Sequence, residues 1–374
     1  MTTPDPGPHL AVALDGAGWH PAAWREPLAR PDELFSARYW TDLVREAQSA
    51  ALDFVTFEDT LALQRGGSPE ATDRVRGRLD AVLIAARVAP LTMGIGLVPT
   101  VVTTHTEPFH ISKAIATLDY VSTGRAGVRV RVGRPHEYPH FGRRDPEEDR
   151  DSLFTEAADY VEVVRRLWDS WEDDAEIRDA ATGRFVDRDR LHYIDFEGAA
   201  FSVKGPSITP RPPQGQPLVT ALAHAEIPFR FAAGSTDLAY VTPTDRSDAE
   251  RIVARLNGLP HVFADLVVFL DDKPGAAADR LARLDETAGR AYASDAHVFT
   301  GTPAELADLL LDWHAAGLTG FRLRPGAIPD DLTAITRGLV PELRARGAFR
   351  SGYEADTLRG LLGLPRPANR YATA

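Results

Sequence analysis

The residues best suited to chemistry form a short alternating run, Val128-Arg129-Val130-Arg131-Val132. Strand alternation puts both arginines on one face. If that face is buried, each guanidinium needs an anionic partner, because an unpaired buried charge is very costly. Glu58 and Asp59, which follow the β-rich run Phe54-Val55-Thr56-Phe57, can supply it, and so can a ligand phosphate. If the face is solvated, the arginines mean little, but a strand covered on both faces favours partnered charges. The ordinary role for Glu58-Asp59 is a helix cap or a loop carboxylate. Further polar residues follow other apolar runs: Asp15, Thr103, Thr104, His105, Arg134, His136, His224, Glu226, Thr242 and Arg324. His105 and His224 are candidates for acid–base work or for donating to a bound ring, set against plain polar lining as the common role of such histidines.

Two better-known signatures fail on their context. His136-Glu137-Tyr138-Pro139-His140 spells the zinc motif HExxH, which works only on a helix, and Pro135 and Pro139 oppose a helix there. Gly94-Ile95-Gly96 opens like a dinucleotide fingerprint but lacks the third glycine, and it is expected inside a strand rather than at a strand-to-helix turn. No P-loop and no nucleophile elbow occur. The chain has no cysteine, which excludes thiolate catalysis, disulfides and cysteine-ligated metal.

The elements that must hold these residues read as alternating strands and helices. The 374 residues, 44% of them hydrophobic, can bury a large core. Strands are expected at 10–14, 54–57, 92–98, 127–132, 218–222, 238–241, 266–269 and 320–323. Helices are expected at 39–51, 72–87, 108–121, 153–171 and 332–346, and one more starts at the capping sequence Thr302-Pro303-Ala304-Glu305. About eight strand–helix pairs imply an α/β fold, a single (β/α)8 TIM barrel over residues 1–374, with insertions at its C-terminal face. The pattern breaks at about 172–215, read as an insertion carrying a hairpin of 192–196 with 201–203. In such a barrel the polar residues just past each strand are the ones that gather. A net charge of -12 argues against nucleic acid and anionic membrane as partners. The polar N-terminus does not read as a signal peptide, and no apolar run reaches the roughly 18 residues that span a bilayer, so a cytoplasmic protein is expected.

A series of motifs then carries a resemblance. It includes Phe57-Glu58-Asp59-Thr60, Pro99-Thr100-Val101-Val102-Thr103-Thr104 and Ala116-Thr117-Leu118-Asp119-Tyr120-Val121-Ser122-Thr123-Gly124-Arg125. It continues through Leu167-Trp168-Asp169-Ser170-Trp171, Gly301-Thr302-Pro303 and Leu364-Pro365-Arg366-Pro367-Ala368-Asn369-Arg370. In number and order these resemble the bacterial-luciferase-like flavin monooxygenases, within them the nitrilotriacetate, pristinamycin and dibenzothiophene-sulfone monooxygenase branch. The resemblance implies a two-component monooxygenase that holds FMN at the barrel mouth. The FMN arrives reduced from a separate flavin reductase, and with dioxygen a small organic substrate is oxygenated. A homodimer or homotetramer is implied as well.

By position, Asp59 matches an acidic residue near the flavin ring, and Thr103-Thr104 match a hydroxyl-bearing stretch after strand three. Arg129 stands where the family has asparagine, while Arg150 and Phe154 stand where histidine and tyrosine open the long fourth helix. Ala221-Leu222-Ala223-His224-Ala225 replaces a stretch whose serine helps hold phosphate. Asp59, Thr103, Thr104, Arg129, Arg131 and Arg150 are therefore the candidate cofactor-binding residues, and no metal is expected. Two outcomes stay open. The arginines can replace neutral phosphate donors and admit FMN or a larger anionic deazaflavin. Alternatively, Arg129 and Arg131 pair with Glu58 or Asp59 and leave no room for a flavin, making the barrel a binding or assembly partner.

Overall fold

A computed structural model describes residues 7–63, 72–142 and 149–372. The first half alternates β1 (His9–Leu14), α1 (Ala37–Ser49), β2 (Phe54–Phe57), α2 (Ala81–Val88), β3 (Gly96–Val102), α3 (Pro108–Val121), β4 (Gly127–Arg131) and α4 (Arg150–Asp169). Two small antiparallel pairs follow, β5 (Glu176–Asp179) with β6 (Arg184–Val186) and β7 (Phe196–Glu197) with β8 (Ser202–Val203). Alternation resumes with β9 (Leu218–Leu222), α5 (Glu226–Ser235), β10 (Leu238–Val241), α6 (Arg246–Arg255), β11 (His261–Leu270), α7 (Ala276–Ala288), β12 (His297–Gly301), α8 (Pro303–His314) and β13 (Gly320–Pro325). The chain ends with α9 (Asp330–Ala334), α10 (Val340–Ala345) and α11 (Leu358–Leu361).

Eight parallel strands pair in the order β10-β9-β4-β3-β2-β1-β13-β11, and β10 pairs with β11 to close a (β/α)8 barrel. Side-chain alternation sorts two cores. Leu10, Val12 and Leu14 of β1 turn outward against Tyr39, Leu43 and Val44 of α1. Ala11, Phe54, Val98, Leu218, Leu238 and Phe263 turn inward and fill the lower barrel, where Leu358 and Leu362 close the bottom. A Cβ at Gly96 would meet Leu358 Cδ1 at 2.6 Å, so the close seating of α11 needs that glycine.

The boundaries differ from the sequence expectation where long-range contacts override local pattern. The third strand starts at Gly96 and runs to Val102. Gly94, at φ +74°, makes a left-handed turn before it, because a Cβ there would strike the Tyr353 ring. The expected helix 72–87 starts only at Ala81, where Asp80 accepts a hydrogen bond from Leu83 N at 2.9 Å. The residues just before it include Gly77 at φ +95° and Arg78, which reaches back to Asp15. The hairpin is shorter than expected, and β11 is longer, spanning ten residues. The second half of β11 also carries β12, a strand the pattern did not reveal. A π-helical segment, Ile335–Leu339, separates α9 from α10 inside the expected helix 332–346. Of the loop 134–150, residues 143–148 lie outside the described residues, as do residues 1–6 of the N-terminus. Among the described residues no helix is long and apolar enough to cross a membrane.

The bottom plug yields a stability prediction. Leu358→Ala removes a fully buried side chain from the inner core and is expected to cost about 2–5 kcal/mol. Urea denaturation measures this, and a loss well under 1 kcal/mol would show that α11 contributes little to closing the barrel.

Candidate active site

The inward face of β4 does carry Arg129 and Arg131, since Val128 and Val130 pack outward against Ala157 and Val161 of α4. Thr100 of β3 and Thr220 of β9 flank Arg129 in register. Its Nη1 donates to Glu58 Oε2 at 2.8 Å and to Thr100 Oγ1 at 3.1 Å. Glu58 also accepts from Arg322 Nη1 at 3.1 Å. Arg322 then grips Asp265 through Nε at 2.7 Å and Nη2 at 2.5 Å. Asp265 takes Arg324 Nε at 3.1 Å, and Arg324 reaches Asp295 Oδ1 at 2.7 Å. A single ion chain thus crosses the barrel. Its guanidiniums also lie over aromatic rings, Arg322 over Tyr240 at 4.1 Å and Arg324 over Trp19 at 4.5 Å.

The electrostatics follow the pairing. Burial alone would raise the Glu58 pKa, but Arg129, Arg322 and Arg324 hold the carboxyl down at about 2. Burial lowers the Arg129 pKa, Glu58 opposes this, and the like charge of Arg322 adds to it. Arg131 pairs elsewhere. It bonds Glu137, whose carboxylate also accepts from Thr60 Oγ1 at 2.5 Å, Leu61 N at 3.2 Å and Arg134 N at 2.7 Å. Asp59 partners neither arginine. It accepts from Thr60 N at 2.7 Å and from Ala81 N at 2.9 Å, the first residue of α2, and burial raises its pKa. Glu58 is thus the expected anion for Arg129, whereas the pairing of Arg131 with Glu58 or Asp59 is corrected to Glu137.

Beside this network lies a cavity of about 800 Å³. Thr103, Arg129, Arg131, Arg134, His136, Arg150 and His224 line it, with Leu153, Phe154, Leu222 and Phe231 as an apolar wall. Among the described residues, four arginines and no carboxylate line it, in a chain of net charge -12. Arg150 stands in the exposed first turn of α4, and His224 stands exposed past β9. Two other candidates sit across a wall. Thr104 and His105 line a separate recess of about 780 Å³. His105 stacks on Phe141 at 4.6 Å, and Thr104 Oγ1 accepts from Gly133 N at 2.7 Å.

The remaining candidates are spread around the mouth. Asp15 pairs with Arg78 at 2.5–3.1 Å, Glu226 with Arg255, and Thr242 lines a groove beside α6. HExxH is not a metal site: Tyr138–His140 is a short 3-10 turn, and Glu137 is committed to Arg131. Among the described residues no group of three or more His, Cys, Asp or Glu could hold a metal. Sequence reading missed Arg322, Asp265 and Asp295. The run Phe321-Arg322-Leu323-Arg324 repeats the alternation of strand four and carried the signal.

A family model described as luciferase-like monooxygenase matches residues 17–283. The chain belongs to that family. It is 28% identical to N-acetyl-S-(2-succino)cysteine monooxygenase of Bacillus subtilis (strain 168), over 97% of this chain and 98% of that one. It is 29% identical to nitrilotriacetate monooxygenase component A of Aminobacter aminovorans, again over 97% and 98%. The structure of a riboflavin lyase, solved with modified FMN and riboflavin, shares the fold at a TM-score of 0.85 and 23% identity, covering 96% of each chain. The branch to which the motifs pointed is therefore the right one, and this luciferase-like monooxygenase is an enzyme of the oxidoreductase class.

The ion chain and the separate Arg131–Glu137 pair predict an acid-sensitive enzyme. Glu58, Glu137 and Asp295 each have a folded pKa of about 2, below the ordinary carboxylate value of roughly 4. The stability they lend is complete above about pH 4.5 and is lost as pH falls towards 2. The urea midpoint should therefore drop steeply between pH 4.5 and 3, and a flat midpoint across that window would contradict the pairing. Glu58→Ala leaves Arg129 and Arg322 short of an anion at pH 7 and is expected to cost about 3–5 kcal/mol in the same assay.

Proposed function

We propose that this enzyme is a two-component flavin-dependent monooxygenase. In this reading it holds FMN in the four-arginine cavity, receives it reduced from a separate flavin reductase, and oxygenates a small organic molecule with dioxygen. One observation carries the reading. A cavity lined by Arg129, Arg131, Arg134 and Arg150, and by no carboxylate among the described residues, opens where the barrel strands end. Its volume of about 800 Å³ lies within the range of small-molecule sites, roughly 300–1,000 Å³.

The lining fits the group. Arg129 Nε and Arg131 Nε are buried donors without a partner, which suits a ring edged with acceptors. Arg134, Arg150 and His224 offer charge and donors to a phosphate. Leu153, Phe154, Leu222 and Phe231 line the cavity as an apolar wall that would shield a bound ring from water. Bound there, reduced flavin supplies the electrons with which dioxygen is activated. The clasps of Arg129 by Glu58 and of Arg131 by Glu137 favour a second reading, in which the interior is complete without flavin and the barrel serves as a binding or assembly partner. The basic rim would also accept the polyanionic tail of a deazaflavin.

Anaerobic titration separates these readings. Reduced FMN is expected to bind at micromolar concentration or better and more tightly than a deazaflavin. Absence of binding by either compound would leave the assembly reading standing. Arg150→Ala is expected to weaken FMN about tenfold or more, the scale of one charge-assisted hydrogen bond, while leaving riboflavin, which has no phosphate, unchanged. Equal losses for both ligands would place the phosphate elsewhere.

A further inference from the structure

A second cavity, of about 470 Å³, opens beside the first. Arg74, Arg134 and Arg290 line it together with Asp295, Trp19 and Tyr292. Arg134 also lines the four-arginine cavity, so the two adjoin there. The position of this second space follows from the added strand. β12 pairs only with the second half of β11, so the residues just before it stand level with Arg324, where Asp295 meets that guanidinium at 2.7 Å. Trp19 comes to the same place from the segment after β1, and Arg324 lies over its ring at 4.5 Å. The volume again falls in the range of small-molecule sites.

The charges of this lining do not cancel. Asp295 is bound to Arg324, and Arg74 pairs with Asp73 at 3.2 Å. His20 is buried, which lowers its pKa, and its Nε2 meets Asp285 at 3.1 Å, so it stays neutral at pH 7. Arg134 and Arg290 remain, and neither has an ion-pair partner among the described residues. Exposed guanidiniums are tolerated without partners. What marks these two is that both line one concave space with aromatic walls, in a chain of net charge -12. Guanidinium forks match a carboxylate edge to edge, and the rings of Trp19 and Tyr292 suit an apolar body attached to it.

With the first cavity given to the cofactor, oxygenation needs a second molecule seated beside it. We propose that the second cavity is the substrate subsite, that the substrate is a small carboxylate with an apolar body, and that Arg290 is its specificity-determining residue. The inference rests on the cofactor reading above. Arg134 stands between the cavities and serves both, whereas Arg290 lines only the second and Arg150 only the first. The last two residues therefore separate substrate from cofactor.

The test is anaerobic calorimetric titration of the full chain, with and without reduced FMN, using phenylacetate, phenylsuccinate and indole-3-acetate, each beside its neutral amide. At least one acid is expected to bind at millimolar concentration or tighter, and about tenfold or more tighter than its amide, the scale of one charge-assisted hydrogen bond. Saturating FMN should leave that binding in place. Arg290→Gln, at an exposed position where folding is not at stake, should erase the advantage of acid over amide and keep the affinity for FMN. Arg150→Gln should do the reverse, weakening FMN and keeping the advantage. If no acid outbinds its amide, if FMN displaces the acid, or if the advantage survives Arg290→Gln, the inference falls while the cofactor reading stands. Loss of FMN affinity in Arg290→Gln would put the phosphate in the second cavity and overturn the inference as well. If wild type binds an acid but no FMN, the cofactor reading fails and the substrate assignment fails with it.

Discussion

Arginine side chains inside a parallel barrel must be matched by carboxylates on neighbouring strands, and the mouth of this protein is organised around that requirement. Arg129 on β4, Arg322 and Arg324 on β13, Glu58 just past β2 and Asp265 on β11 meet because eight strands close into one ring. Such a network is a poor device for stability. Replacing buried ion pairs with well-packed apolar residues is often neutral or better, whereas removing one partner is severely destabilising. Below the network the barrel is packed in the ordinary apolar way by Phe54, Val98, Leu218 and Phe263. The Arg129–Glu58–Arg322–Asp265–Arg324 network sits in the upper layers, where a TIM barrel places its chemistry.

Another buried acid, Glu137, does a different job. Its carboxylate ties Thr60 and Leu61, just after β2, to Arg131 and Arg134 at the end of β4. It thereby fixes the backbone that presents Arg134 and His136 to the cavity. The letters of a zinc motif therefore describe a structural latch. The proline on either side of Glu137 and Tyr138 keeps the segment from forming the helix that metal binding requires.

The chain belongs to the luciferase-like monooxygenases, and its barrel mouth is strongly basic among the described residues. Strand four offers guanidiniums, Asp59 serves α2 as a backbone acceptor, and the basic rim comes from Arg134, Arg150 and His224. In the proposed reading, binding leans on charge more than on neutral hydrogen-bond donors. Charge-assisted pairs discriminate by the ionisation state of the ligand as well as by its shape.

The sequence by itself determined what is local. Period-two and helical periodicities placed most strands, and α3 at 108–121 has the expected bounds. The Thr302–Glu305 capping box forms as read. The alternation of residues 128–132 correctly turned both arginines inward. Tertiary structure decided everything that depends on partners far apart in the chain. Arg129 and Glu58 are 71 residues apart, and Arg322 and Glu58 are 264 apart, so no local pattern could state which acid meets which arginine. The late start of β3, the ten-residue β11 and the added strand β12 likewise follow from contacts with Tyr353, β13 and the ring closure. Side-chain direction is written in a strand's own alternation, but a charge's partner depends on register and barrel closure, which exist only once all the strands are in place.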